Sequence, residues 1–138
     1  MHALSEIHRV LHPQGLLIDL RPLEDRWPVE VTSAPGFQQV GRLLDHEAGL
    51  ADDEASNRAM AQSTGKGWFQ EEQHTFFPFF YYWDTPNEMK EYIEKEWEGF
   101  NGLEEQTLQN ARSAWASGGA AARLRVRMKV LITRWRKT

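Results

Sequence analysis

The chain has no cysteine, which excludes disulfides, thiolate nucleophiles and any zinc site built on cysteine ligands. No apolar run is long enough to cross a bilayer as a helix. The opening residues place Glu6 and His8 inside an amphipathic pattern, unlike the basic start and apolar middle of a signal peptide, so a cytoplasmic location is expected. Gly-x-Ser-x-Gly is absent, as are internal repeats and low-complexity linkers. Acids are missing from one end: none follows Glu105, while Arg112, Arg123, Arg125, Arg127, Lys129, Arg134, Arg136 and Lys137 all lie there. The net charge of −4 is therefore unevenly placed, with acids crowded at residues 45–54 and 88–105. Such asymmetry can mark nucleic-acid or membrane contact. The acidic overall balance instead predicts acidic and basic segments that pack together and neutralise one another.

Much of what is present is aromatic. Six tryptophans and seven phenylalanines in 138 residues predict a core dominated by ring packing. A hydrophobic fraction of 41% and a charged fraction of 26% fit one globular domain over residues 1–138. Leu4, Ile7, Val10 and Leu11 fall at helical spacing, and His12-Pro13-Gln14-Gly15 ends that helix. A buried strand over residues 16–20 follows. Pro28-Val29-Glu30-Val31 and residues 37–43 read as extended pieces around a Ser33-Ala34-Pro35-Gly36 turn. A helix is expected at about 52–62, with Asp52 and Asp53 favourably near its start.

Residues 70–83 are the most strand-like of the chain. Phe77, Phe79, Tyr81 and Trp83 alternate with Phe76, Pro78, Phe80 and Tyr82, which predicts a strand covered on both faces, with Pro78 marking an edge or bulge. Asp84-Thr85-Pro86 predicts a helix start, with Met89, Tyr92, Ile93 and Trp97 as its inward stripe. A second helix over about 103–116 buries Leu108, Ala111 and Trp115. In the last strand Leu124, Val126, Met128 and Val130 alternate with Arg123, Arg125, Arg127 and Lys129, one face apolar and one basic. The long arginine stems are expected to lie against the glutamates of residues 88–98.

The helix, its His12-Pro13-Gln14-Gly15 stop and the following Leu16-Leu17-Ile18-Asp19-Leu20-Arg21-Pro22 resemble the fourth helix and fifth strand of class I S-adenosylmethionine-dependent methyltransferases. Val40-Gly41-Arg42-Leu43, Tyr81-Tyr82-Trp83-Asp84 and Val126-Arg127-Met128-Lys129-Val130-Leu131-Ile132 are also similar to the tail of some bacterial members. The resemblance covers nearly the whole sequence and implies the C-terminal half of that Rossmann-like fold. The expected class is α+β, a small mixed sheet flanked by helices. The resemblance further implies that the last strand lies antiparallel between the strands at 16–20 and 73–83.

In that family the methyl donor rests on a glycine-rich turn after the first strand, with an acidic residue after the second, a logic shared with dinucleotide folds. Gly65-Lys66-Gly67 follows a predicted helix and lacks the strand–turn–helix setting. The expectation is a chain without catalytic residues of its own and without a cofactor, S-adenosylmethionine entering only if a partner chain supplies the other half. The complete family fold pairs the strand at 16–20 with a fourth strand that is not present here, so the resemblance implies an unpaired apolar edge and with it self-association, most simply a two-fold homodimer.

If the sheet forms as the resemblance implies, Asp19, Arg21, Tyr82, Trp83, Arg123 and Arg125 converge at one sheet edge as a small-molecule site. The competing expectation is that Asp19 and Arg21 pair locally while Tyr82 and Trp83 fill the core. His8 and His12, one turn apart, have no acidic partner in the sequence, so no metal site is expected. His46 reads as part of a solvated turn and His74 as a hydrogen-bonded side chain on the aromatic strand. Trp115 and Trp135 near the basic strand raise nucleic-acid binding, which the acidic balance argues against.

Overall fold

In a computed structural model, residues 2–138 are described. The elements run α1 (His2–Val10), β1 (Leu16–Leu23), β2 (Pro28–Ser33), β3 (Gly36–Arg42), β4 (Leu44–Asp45), α2 (Glu47–Gly65), β5 (Phe69–Trp83), α3 (Pro86–Glu96), β6 (Asn101–Gly102), α4 (Glu105–Ser117) and β7 (Arg123–Lys137). The class is α+β. β1, β2 and β5 all pair with β7, and β3 pairs with β2. The chain divides into two compact units.

The first unit holds the described residues up to Leu23, Ala51–Phe77 and Val130–Thr138. Its core is small: Met60, Phe69 and Trp135 are buried, with Leu4, Ile7, Leu11, Leu17 and Trp68 packed on them. Three of the four expected α1 side chains thus face inward, but Val10 is exposed. β1 is not the buried strand expected. Its residues alternate, with Leu17 facing the core while Leu16, Ile18 and Leu20 are exposed. The period-2 pattern lets one face pack, and nothing among the described residues of this unit buries the other.

α2 begins five residues earlier than expected, so Asp52 and Asp53 lie inside the helix rather than near its start. At its far end the hydroxyls of Ser63 and Thr64 donate back to the Met60 carbonyl, at 2.7 and 3.1 Å, and accompany an extra turn. β5 also departs from expectation. Its residues 70–79 are all exposed, against the prediction of cover on both faces. β7 is the only strand it pairs with among the described residues. As an edge strand it tolerates Pro78, which has no N–H for a second ladder.

The second unit, Glu24–Leu50 and Pro78–Lys129, carries the larger core. β2 pairs antiparallel with β3 through the Ser33–Gly36 turn, where Gly36 takes a φ of +145° that side chains rarely allow. β2 also pairs antiparallel with β7, Val29 opposite Val126 and Val31 opposite Leu124. Directly opposed residues share a face, so this register gathers Val29, Val31, Leu124 and Val126 into one apolar layer. Met89 and Ile93 of α3 and Leu108 and Ala111 of α4 complete it. Gly41 lets α4 approach β3 closely, since a Cβ there would lie 2.6 Å from Thr107 Cγ2.

α3 starts where the sequence indicates. Thr85 is its N-cap, accepting from the Glu88 backbone N–H at 3.2 Å, while the Glu88 carboxylate accepts from the Asp84 N–H at 3.1 Å. Pro86 at the first position loses no hydrogen bond there. The Thr85 hydroxyl thereby satisfies one orphan donor of the first turn, and the Glu88 carboxylate ties down the residue before the cap. Thr85→Ala is expected to lower stability by about 1 kcal/mol in urea denaturation. A change indistinguishable from zero would show that water caps this terminus equally well.

Candidate anion-binding site on the arginine face

The β2–β7 register sets Glu30 opposite Arg125 and Thr32 opposite Arg123, on the sheet face away from the apolar layer. β3 adds Phe37 opposite Thr32 and Gln39 opposite Glu30. Alternation along β7 puts Arg127 in the same row, about 7 Å beyond Arg125. From β5, Phe80 and Tyr82 reach the same cluster.

Glu30 is the centre of this face and is only 2% exposed. Arg125 donates Nε–H to its Oε1 at 2.6 Å, and Arg127 places Nη2 3.2 Å from Oε2. Arg125 also donates from Nη1 to the Tyr82 hydroxyl at 3.2 Å. Both guanidiniums lie between two rings: the Arg125 Cζ is 4.6 Å from the centres of Phe37 and Phe80, and the Arg127 Cζ is 5.2 Å from each. Arg123 stands over the Tyr82 ring at 4.9 Å and pairs with Asp84 at 3.0 Å.

A buried carboxylate needs a partner, because removing a charge from water costs several kcal/mol. Two arginines on one carboxylate give more positive charge than that pairing requires. Burial alone pulls the Arg125 guanidinium down, but its hydrogen bonds to Tyr82 and Glu30 and the Glu30 charge outweigh it and hold the group above its ordinary value. Flat guanidiniums clamped by rings are pre-organised for oxyanions. The one carboxylate at the centre of the cluster is fully engaged by arginine, so the arrangement suits binding rather than proton transfer.

Of the expected ligand residues, Tyr82, Arg123 and Arg125 come together here. Trp83 does not: it is 8% exposed and sits in the apolar core against Tyr81, Tyr92 and Trp97. In the same cluster, burial first, then the neighbouring Tyr81, raises the Tyr92 phenol above its ordinary value. Asp19 and Arg21 belong to the first unit, where the Arg21 Nε lies 3.0 Å from Asp19 Oδ1 and its Nη2 donates to Asn57 at 3.1 Å. The local pairing expected for Asp19 and Arg21 is thus present, but Tyr82 is exposed rather than part of the core.

Glu30, Arg127, Phe37 and Phe80 were not foreseen as site residues. A lone acid between Val29 and Val31 was the available signal for Glu30, since a charge amid strand valines demands a cation. The β7 arginines meet Asp84, Glu30 and, in the first unit, Glu72, rather than the α3 glutamates expected. Hydrogen bonding from Arg136 is the main cause that holds the Glu72 carboxyl below its usual range, against a smaller opposing effect of burial.

The histidines form no such centre. His8 stacks on Trp68 at 5.7 Å and meets Phe69 edge-on. Among the described residues no group of three or more His, Asp or Glu is placed to hold a metal. A groove of about 760 Å³ lies between the β2–β3 hairpin and α4, but Ser33, Gln38, Asn110, Ser113 and Ser117 line it and no charged side chain does. Among the described residues no helix is long and apolar enough to cross a membrane. No protein-family model matches the chain, and no curated protein or solved structure matches it.

Proposed function

We propose that the chain forms the C-terminal half of a Rossmann-like, class I methyltransferase-type fold, is not catalytic alone, self-associates as a two-fold homodimer and binds a small ligand. The observation that carries this reading is that β7 pairs with both β1 and β5. That neighbour relation is what the helix–Pro-x-Gly–strand resemblance implies for the family's last three strands. α2 lies between β1 and β5 in the sequence, as the connecting helix of that fold does.

The residues present do not fit a methyl donor. Gly65-Lys66-Gly67 closes α2 and leads into β5, a helix–turn–strand order that reverses the donor-binding one. A strand, not a helix start with its free N–H groups, follows that turn. β1 has β7 as its only strand partner among the described residues, and its Leu16, Ile18 and Leu20 side chains are exposed. A free edge with apolar flanks favours strand pairing with another chain, and a second copy is the simplest occupant.

A second reading rests on the same edge: the chain is one half of a split methyltransferase, active with a partner that carries the glycine-rich turn. Light scattering followed by calorimetric titration with S-adenosylmethionine separates these readings. The expected result is a dimer that takes up no donor. Micromolar donor binding would overturn the non-catalytic reading. A well-folded monomer would overturn self-association and leave the split enzyme as the better account.

A further inference from the structure

We infer that the Arg123–Arg125–Arg127 face is a binding site for a small oxyanion carried on an aromatic or other flat apolar group. The inference rests on the ligand-binding part of the reading above and names the chemistry of that ligand; it requires neither the dimer nor the methyltransferase relationship.

The first argument is a surplus of donors. Each guanidinium offers five N–H groups. Arg125 donates from Nε to Glu30 and from Nη1 to Tyr82, and Arg127 donates from Nε and Nη2 to Glu30. The Glu30 carboxylate, accepting from both arginines, is close to saturated, while several N–H groups remain. Across the face three guanidiniums meet two carboxylates, Glu30 and Asp84. Like charges about 7 Å apart on one strand repel. An anion between them relieves that repulsion.

The second argument is access. The surplus is not sealed in, for the Arg127 side chain is 35% exposed and that of Arg123 47%. Glu30, nine-tenths and more buried, holds the base of the cluster and fixes where the guanidiniums stand. A ligand reaching them meets charges already oriented, so little side-chain freedom is lost on binding.

The third argument concerns the body of the ligand. Phe37 leaves 57% of its surface in solvent beside Arg125 and Arg127, and Tyr82 is also exposed. A flat apolar group on these rings removes that surface from water while the oxyanion meets Arg127. Phosphate monoesters and carboxylates share this chemistry. A structural ion pair alone explains Glu30 with one arginine; it explains neither the second arginine nor the exposed phenylalanine.

The test titrates the full chain with phenyl phosphate, benzoate, inorganic phosphate and a short single-stranded oligonucleotide, reading heat and thermal midpoint. Phenyl phosphate or benzoate is expected to bind at roughly millimolar or tighter and to raise the midpoint. The tighter of the two identifies the phosphate or the carboxylate as the natural source. Arg127→Gln is expected to weaken binding about tenfold, the equivalent of one charge-assisted contact. Phe37→Leu, which keeps an apolar side chain and serves if Arg127→Gln does not fold, should weaken the aromatic anions about threefold more than it weakens inorganic phosphate. Arg9→Gln, on exposed α1, should change nothing. Binding of neither small anion overturns the inference, as does binding that both site variants leave intact. A steeply salt-dependent preference for the oligonucleotide overturns it too, and assigns the face to nucleic acid. None of these outcomes depends on donor binding or on the oligomeric state.

Discussion

Replacing Glu30 with alanine is expected to destabilise the protein by about 3–5 kcal/mol, because it strands two arginines around a buried site. The carboxylate is buried, two guanidiniums converge on it, and Arg125 has only 12% of its side chain exposed. Without Glu30 those cations repel each other between Phe37 and Phe80, and Arg125, the more buried of the two, has little water to screen it. Urea denaturation with an unchanged m-value is the appropriate measurement. The double variant Glu30→Ala with Arg125→Met should recover part of the loss, because it removes the stranded charge together with its partner. A loss under about 1 kcal/mol would place the pair in the class of solvent-screened surface bridges, and the pre-organised face would lose its foundation.

Trp83→Ala should cost a similar amount, about 3–5 kcal/mol, for a different reason. Trp83 stacks on Tyr81 with ring centres 6.1 Å apart and meets Tyr92 and Trp97 at 5.5 and 6.1 Å. Its removal opens a cavity that the three rings packed around it cannot collapse to fill. Tyr82, the residue before it, should behave otherwise: Tyr82→Phe loses one partly exposed hydrogen bond to Arg125, worth about 1 kcal/mol. If Trp83→Ala were mild and shifted anion affinity instead, Trp83 would belong to the site and not to the core. The contrast between adjacent residues follows from the pleat, which sends successive side chains to opposite faces.

That alternation was the most legible feature of the sequence. In β7 the apolar set Leu124, Val126, Met128 and Val130 is buried as read, and the arginines lie on the other face. The α3 cap and its Met89, Tyr92, Ile93 and Trp97 stripe were equally local, set by a few neighbouring residues. What failed needed knowledge of the third dimension. Composition shows that β1 and β5 are apolar, but not whether anything covers them, so Leu16, Ile18 and the β5 phenylalanines were read as buried. In the site, Tyr82, Arg123 and Arg125 were within reach of sequence because they lie on two strands already identified. Glu30 and Phe37 entered through register, since their places opposite Arg125 and Thr32 depend on residues more than 90 positions apart or across a turn.

β7 has a consequence for how the protein is made. It is the last element in chain order among the described residues, and β1, β2 and β5 all pair with it. A ribosome therefore releases three strands, one of them carrying six phenylalanine and tyrosine rings in a row broken only by a proline, before their common template exists. Folding of such non-local pairings is slow. During that wait the nascent chain presents the kind of segment that chaperones hold and that aggregates recruit. Yield in a cell should respond more to chaperone supply during synthesis than to any stabilising change in the finished fold.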